Sequence, residues 1–266
     1  MISGKEHFPD KAIIIASHPR SGTHLLIDFL RKQFSECQSH LVFFETRHHA
    51  YLTLDHLSTQ HKPNISQKQA LSILSKSKVP IIKTHCLPDF EYLGCENAEF
   101  IERLKSVATT FYVVRDGRDV MCSTYLWRQK FDPKAHCSLS DFLRVKYEGL
   151  TYPEIWAEHV NNWVPQPEVS ILKYEDIIEN PLGELKKISH KIDLLPLYKK
   201  PLLPKKQAPR SRWGDYFLRI TRQFESTAIG GQSPKKRKNW NEILSSEDQN
   251  FFLEKAGKAL IQLGYM

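Results

Sequence analysis

Five consecutive apolar residues at 12–16 (AIIIA) run into a turn holding Pro19 and Gly22, then into a helix-like stretch from Thr23 to about Phe34. No other feature of the chain narrows the fold more. A strand apolar on both faces must be covered on both, as in a parallel sheet with helices on each side. The pattern recurs. Residues 79–82 end at Lys83-Thr84-His85; residues 110–114 end at Arg115-Asp116-Gly117 and lead into a helical segment through Trp127. Residues 169–172 end at Lys173-Tyr174-Glu175-Asp176, which opens another helix. Strands alternating with helices predict βαβ crossovers and one α/β domain with a central parallel sheet. Ligands of such sheets bind beyond the carboxyl ends of the strands. Here each of the four ends carries polar or basic residues.

The 266 residues suit one large domain, 1–266, and no linker divides them. Residues 199–212 (KKPLLPKKQAPRSR) read as a loop, Gly230-Gly231 opens another irregular stretch, and an amphipathic helix over about 247–263 closes the chain. No apolar run is long enough for a membrane span, and the polar start MISGKEHFPDK lacks a secretory core. Five cysteines (Cys37, Cys86, Cys95, Cys122, Cys137) form no CxxC pair, so a reducing, cytoplasmic setting is expected. Lysine and arginine exceed aspartate and glutamate by 38 − 30 = 8, which favours an anionic partner without saying which.

Residues 18–25 (HPRSGTHL) are the most informative piece. A glycine-containing turn from strand into helix aims backbone N–H groups at one spot, where the helix N-terminus adds positive potential. Ser21 and Thr23 add hydroxyls and Arg20 a fixed charge with bidentate geometry. That is a phosphate cradle, although GxxxxGK[ST] is absent. The plainer alternative is a strand–helix turn with a capping serine. Arg115 and Ser123, eight residues apart, can meet one anion at the same sheet edge; otherwise Arg115 pairs with Asp116 or Asp119 and Ser123 faces solvent. Lys83 and His85 are two apart on a strand and so share a side. Histidine is the usual base near neutrality, and the lysine would hold its pKa down. With 12 histidines in the chain, a satisfied structural role is the alternative. No metal is expected, since His48-His49 is an adjacent pair rather than a ligand-spaced one.

Residues 18–25, 81–88 (IIKTHCLP), 113–123 (VVRDGRDVMCS) and 173–176 (KYED), in that order, resemble the sulfotransferases that use 3′-phosphoadenosine 5′-phosphosulfate (PAPS), the cytosolic type most closely. Residues 152–164 (YPEIWAEHVNNWV) are similar too, so the likeness covers most of residues 12–190. It implies a P-loop-like nucleotide-binding architecture and sulfuryl transfer to a hydroxyl-bearing small molecule or glycan, leaving 3′,5′-bisphosphate (PAP), with no metal and no nucleic-acid partner. By the same resemblance Arg20, Ser21, Gly22, Thr23 and His24 form the 5′-phosphosulfate loop, Arg115 and Ser123 hold the 3′-phosphate, and Tyr174 lies near the adenine. His85 would be the base, Lys83 would neutralise the sulfuryl group, and Arg20 would steady charge on the leaving phosphate.

The chain also departs from the pattern. Arg20 stands where the cytosolic enzymes usually carry lysine, and His24-Leu25 where they carry Thr-Trp. Another aromatic, Phe224 or Trp213, would then meet the adenine. The C-terminal motif has a blurred counterpart in residues 235–240 (KKRKNW), assigning Lys235, Lys236 and Arg237 to the nucleotide. A solvated basic loop or a localisation signal is the alternative there. The dimerisation signature is not recognisable after Trp240, so the oligomeric state stays open. Tyr51, Trp127, Phe131 and Tyr147 are candidates for an apolar acceptor pocket built from residues 41–66, 125–150 and 199–230. Two rivals stay open: a nucleotide kinase, which the missing GK[ST] disfavours, and a non-catalytic binder of polyanions with a steep salt dependence.

Overall fold

The computed structural model describes residues 8–38, 51–60, 64–132, 136–199, 201 and 239–266. Among these, five strands form one parallel sheet: β1 (Ala12–Ala16), β2 (Leu52–Thr53), β3 (Ile81–Thr84), β4 (Ala108–Val114) and β7 (Ser170–Lys173). Their order is β2-β3-β1-β4-β7, with β1 pairing β3 on one side and β4 on the other. A short antiparallel ribbon, β5 (Lys146–Tyr147) with β6 (Leu150–Thr151), stands apart. The helices are α1 (Thr23–Gln33), α2 (Gln67–Leu74), α3 (Ala98–Val107), α4 (Gly117–Phe131), α5 (Leu139–Arg144), α6 (Tyr152–Trp163), α7 (Tyr174–Glu179), α8 (Pro181–Ile192) and α9 (Ser246–Gln262). No helix among the described residues is long and apolar enough to cross a membrane.

The strand pleat splits β1 between two cores. Ile13 and Ile15 join Leu26, Phe29, Leu30 and Ile188, from α1 and α8, on one face. Ile14 and Ala16 join Trp156, Val160 and Phe252, from α6 and α9, on the other. That is why the run is apolar without alternation. Start signals in the sequence fix several helices. Ser66 and Gln69 form a capping box on α2, Thr151 and Glu154 another on α6, and Asp116 caps α4 through the Arg118 amide.

The expected elements are present, with shifted edges. The second apolar run becomes a strand only after Pro80, so β3 takes in Lys83 and Thr84. Strand β4 starts two residues before the run at 110–114, and the helix after it continues past Trp127 to Phe131. Residues 202–238, including nearly all of the expected loop at 199–212, lie outside the described residues. Neighbours diverge to either side of β1, so its carboxyl end opens a crevice between β3 and β4.

Candidate active site

Three strand ends meet in that crevice. After β1, Arg20 at φ 73° and Gly22 at φ 112° turn the chain into α1. The left-handed value at arginine is uncommon for a residue with a Cβ. It accompanies a hydrogen bond from Arg20 Nε to Ser123 Oγ at 3.3 Å, across to α4. Ser17 Oγ and Thr23 Oγ1 close the loop from within at 2.5 Å. The amides of the first turn of α1 have no intrahelical partners, and no side chain caps them. Ser21 is buried, and its Oγ has no hydrogen-bond partner.

Gly22 is required by contact as well as by torsion. A Cβ there would fall 2.6 Å from Cδ2 of the Tyr174 ring, which leads α7. Gly22→Ala is therefore expected to destabilise the fold by about 1–3 kcal/mol from torsional strain alone, with the collision added. Thermal melts check this, and Tyr174→Ala in the same chain should recover only the collision part. An unchanged melting temperature would show that the turn relaxes freely.

At the end of β4, Arg115 lies over the Tyr174 ring at 4.8 Å and pairs through Nη2 with Asp119 at 3.0 Å. The plainer reading of Arg115 holds to that extent. Its Nε and Nη1, though buried, have no partner, while Ser123 receives Arg20 instead of facing solvent. The expected clusters at Arg20 and at Arg115–Ser123 are thus one continuous surface. Asp119 also accepts the amide of Trp240 at 3.1 Å, and Arg118 covers the Trp240 ring at 3.8 Å.

At the end of β3, His85 Nδ1 donates to the Ser17 carbonyl at 2.6 Å, which leaves Nε2 as the basic nitrogen. Burial, more than the neighbouring Lys83, pushes the imidazole down to about 4, so the expected cause is correct but secondary. The His24 imidazole falls to about 3, again from burial first, then from the charges of Lys83, His85 and Arg20. Those couplings bring His24, Lys83, His85 and Arg20 into one electrostatic neighbourhood. Lys83 is itself lowered by burial.

Sequence reasoning missed a supporting layer. Asp55 accepts Thr84 Oγ1 at 2.7 Å and the His85 amide at 3.1 and 3.2 Å. His159 donates from Nε2 to the His85 carbonyl at 3.2 Å, so the Tyr112 hydroxyl must be the donor to its Nδ1 at 2.9 Å. His18, Tyr112 and Trp163 pack around the His159 ring. His159 lies within the stretch at 152–164, a signal that was available; nothing local marks Asp55.

Lys235, Lys236 and Arg237, like Trp213 and Phe224, lie outside the described residues. Of the pocket candidates, Tyr51 meets His24 edge to face at 5.8 Å, and Trp127 and Tyr147 are exposed by 38% and 58% among the described residues. Nothing is described of the Phe131 side chain. Among the described residues, no group of three or more His, Cys, Asp or Glu side chains is placed to hold a metal.

Comparison with known proteins gives the family and the fold. Sulfotransferase 2A6 of Mus musculus is 25% identical over 183 residues, covering 67% of this chain and 58% of that protein. Sulfotransferase 2A1 of Rattus norvegicus is 26% identical with the same coverage. The chain thus spans a little over half the length of the curated relatives it matches. The fold is similar to that of a mouse sulfotransferase, SULT7A1, complexed with PAP, at TM-score 0.55 and 15% identity over 95% of this chain and 85% of that one. It is also similar to retinol dehydratase in a complex with retinol and PAP, at TM-score 0.51 and 16% identity over 96% and 82% of the two chains. The family model described as sulfotransferase domain matches residues 10–194, and the chain belongs to that family.

Proposed function

We propose that this chain transfers a sulfuryl group from PAPS to a hydroxyl-bearing acceptor, working in the cytoplasm. One observation carries the reading. Buried donor atoms without partners, Ser21 Oγ and Arg115 Nε and Nη1, border the crevice that also holds an imidazole whose free nitrogen is a base. Buried guanidinium nitrogens left without an acceptor are costly unless an anion completes them, so these residues fit a nucleotide with phosphates at both ends. PAPS would bring the activated sulfuryl group, with its 5′-phosphate as leaving group.

The chain's residues then divide the work. The first amides of α1, with Ser21, Gly22, Thr23 and His24, would hold the 5′ end. Arg115 and Ser123 would hold the 3′-phosphate, and Tyr174, between Gly22 and Arg115, would border the adenosine. His85 Nε2 would take the acceptor's proton as its oxygen bonds to sulfur and the sulfur–oxygen bond to phosphate breaks. Lys83 and Arg20 would offset the negative charge, Lys83 on the sulfuryl oxygens and Arg20 on the departing phosphate. Positioned cations and N–H donors are the main source of rate in such in-line transfers. We assign the acceptor to small apolar alcohols or phenols rather than to polyanions, because neighbours of the same fold were solved with retinol and androsterone. The cytoplasmic setting rests on the odd count of five cysteines, with no CxxC pair among them.

Isotope-labelled PAPS, incubated with a panel of phenols, alcohols and glycans, tests the reading directly; labelled product from none of them would count against it. Arg115→Gln should weaken PAP binding by about 10- to 100-fold, the scale of a lost charged hydrogen bond of roughly 1.5–3 kcal/mol. Calorimetry reads this, and equal affinities for PAP and for its analogue lacking the 3′-phosphate would remove Arg115 from that role.

A further inference from the structure

His85 is held at every polar atom except Nε2. Its amide N–H is taken by Asp55, its carbonyl by His159 and its Nδ1–H by the Ser17 carbonyl. Of the three holders, Asp55 does something the others do not. It grips three successive residues, adding the hydroxyl of Thr84 at 2.7 Å and the thiol of Cys86 at 3.2 Å to the amide of His85. The Cys86 amide in turn donates to Thr84 Oγ1 at 3.0 Å, so the strand end is tied back on itself at the carboxylate.

The reach comes from the sheet. Strand β2 is only two residues long, yet its pairing of Leu52 with Ile82 and Thr53 with Lys83 delivers the turn at Leu54–Leu57 beside the end of β3. The donors on Asp55 are all neutral groups, and the side chain is buried. A neutral amide could accept most of these bonds at far lower desolvation cost. The negative charge is the part that hydrogen bonding alone does not require. The charge-changing group that bears on it most strongly is His85. The other titratable groups bearing on that imidazole are Lys83 from β3, His18 from the loop after β1, His24 from α1 and His159 from α6; Asp55 is the acidic one among them.

We infer that Asp55 is a positioning residue for the reaction: it fixes the peptide that aims His85 Nε2, and its charge favours the imidazolium formed when that nitrogen takes a proton. This rests on the reading of His85 as the base. It differs from the arrangement in which a carboxylate orients a catalytic histidine through the ring, because here the ring is oriented by the Ser17 carbonyl and the carboxylate acts through the main chain.

The test is Asp55→Asn in the full chain, with Asp55→Glu beside it and thermal melts on both. Turnover of the asparagine variant should fall by about 10- to 100-fold, the usual scale for losing an outer-layer partner. PAP affinity should stay within about twofold, since Asp55 touches none of the proposed phosphate contacts. In the chain without nucleotide, the His85 C2–H proton resonance, identified by its loss in His85→Gln, should titrate at lower pH in the asparagine variant. The glutamate variant restores the charge, so it should restore the titration even where its longer side chain leaves turnover low. Wild-type turnover together with an unmoved titration in Asp55→Asn would overturn the inference, as would a titration that moves upward. Should His85→Gln stay fully active, the reading of the base fails instead; the titration still reports on Asp55.

Discussion

His85→Gln is expected to lower turnover by about 10²- to 10⁴-fold, the contribution of a positioned general base, while PAP affinity stays within about twofold. Glutamine keeps a side chain in the crevice, so the loss isolates proton transfer. The tautomer makes the argument specific. With Nδ1–H spent on the Ser17 carbonyl, a proton can be accepted only at Nε2. Burial and then the Lys83 ammonium keep that nitrogen unprotonated, with the free protein's imidazole titrating at about 4. The neutral base is the working form, so kcat/KM for the acceptor should be flat through neutrality and fall only as pH drops toward 4. An acid limb centred at 6.5 would mean that the site does not desolvate the ring. Single-turnover sulfuryl transfer with saturating donor checks both statements, and full activity of the glutamine variant would remove His85 from the chemistry.

Much of this arrangement is legible before folding, because the strand ends are punctuated in the sequence itself. The runs ending at Ala16, Ile82 and Val114 are apolar for as long as both sheet faces are covered, and they turn polar where the crevice begins. The loop at 18–25 announces an anion site through its own chemistry. What the sequence does not disclose is lateral order. That β1 lies between β3 and β4, and that a two-residue β2 pairs with β3, follows from packing of whole helices and not from any local signal. The consequences fall on Asp55 and His159. Both act on His85 across gaps of 30 and 74 positions, through main-chain atoms that carry no residue signature. Spacing brought Lys83 and His85 to the same side of a strand, yet the strand stops at Thr84, and Asp55 is what holds the next residue in place. Arg115 shows the reverse case, where the pairing partner Asp119 was readable from an i, i+4 spacing but the two nitrogens left over were not.

The same crevice makes the fold sensitive to acid. His18 and His85 titrate at about 4 and His24 at about 3, and His159 lies well below its ordinary value, in each case chiefly because burial disfavours the charged ring. In the unfolded chain all four return to about 6.5. Above that pH both states are neutral, and the histidines contribute nothing to the balance. Between 6.5 and 4 the unfolded chain binds protons that the native state refuses, so stability falls as pH falls. Each group acting fully removes about 1.4 kcal/mol per pH unit. Two of the four would therefore remove about 3 kcal/mol between pH 6.5 and 5, a large share of the roughly 5–15 kcal/mol that holds a typical domain together. The rings are neighbours, and charging one pushes the others further down, which steepens the loss. Thermal melts of the nucleotide-free chain should be level from pH 8 to 7 and drop steeply from 6.5 to 5. His159→Gln, which retains a donor toward the His85 carbonyl, should make that drop shallower even if it lowers the starting value. A melting temperature that holds constant from pH 7.5 to 5 would mean that these imidazoles reach water, and with it that the crevice is not the dry site on which the proposed chemistry depends.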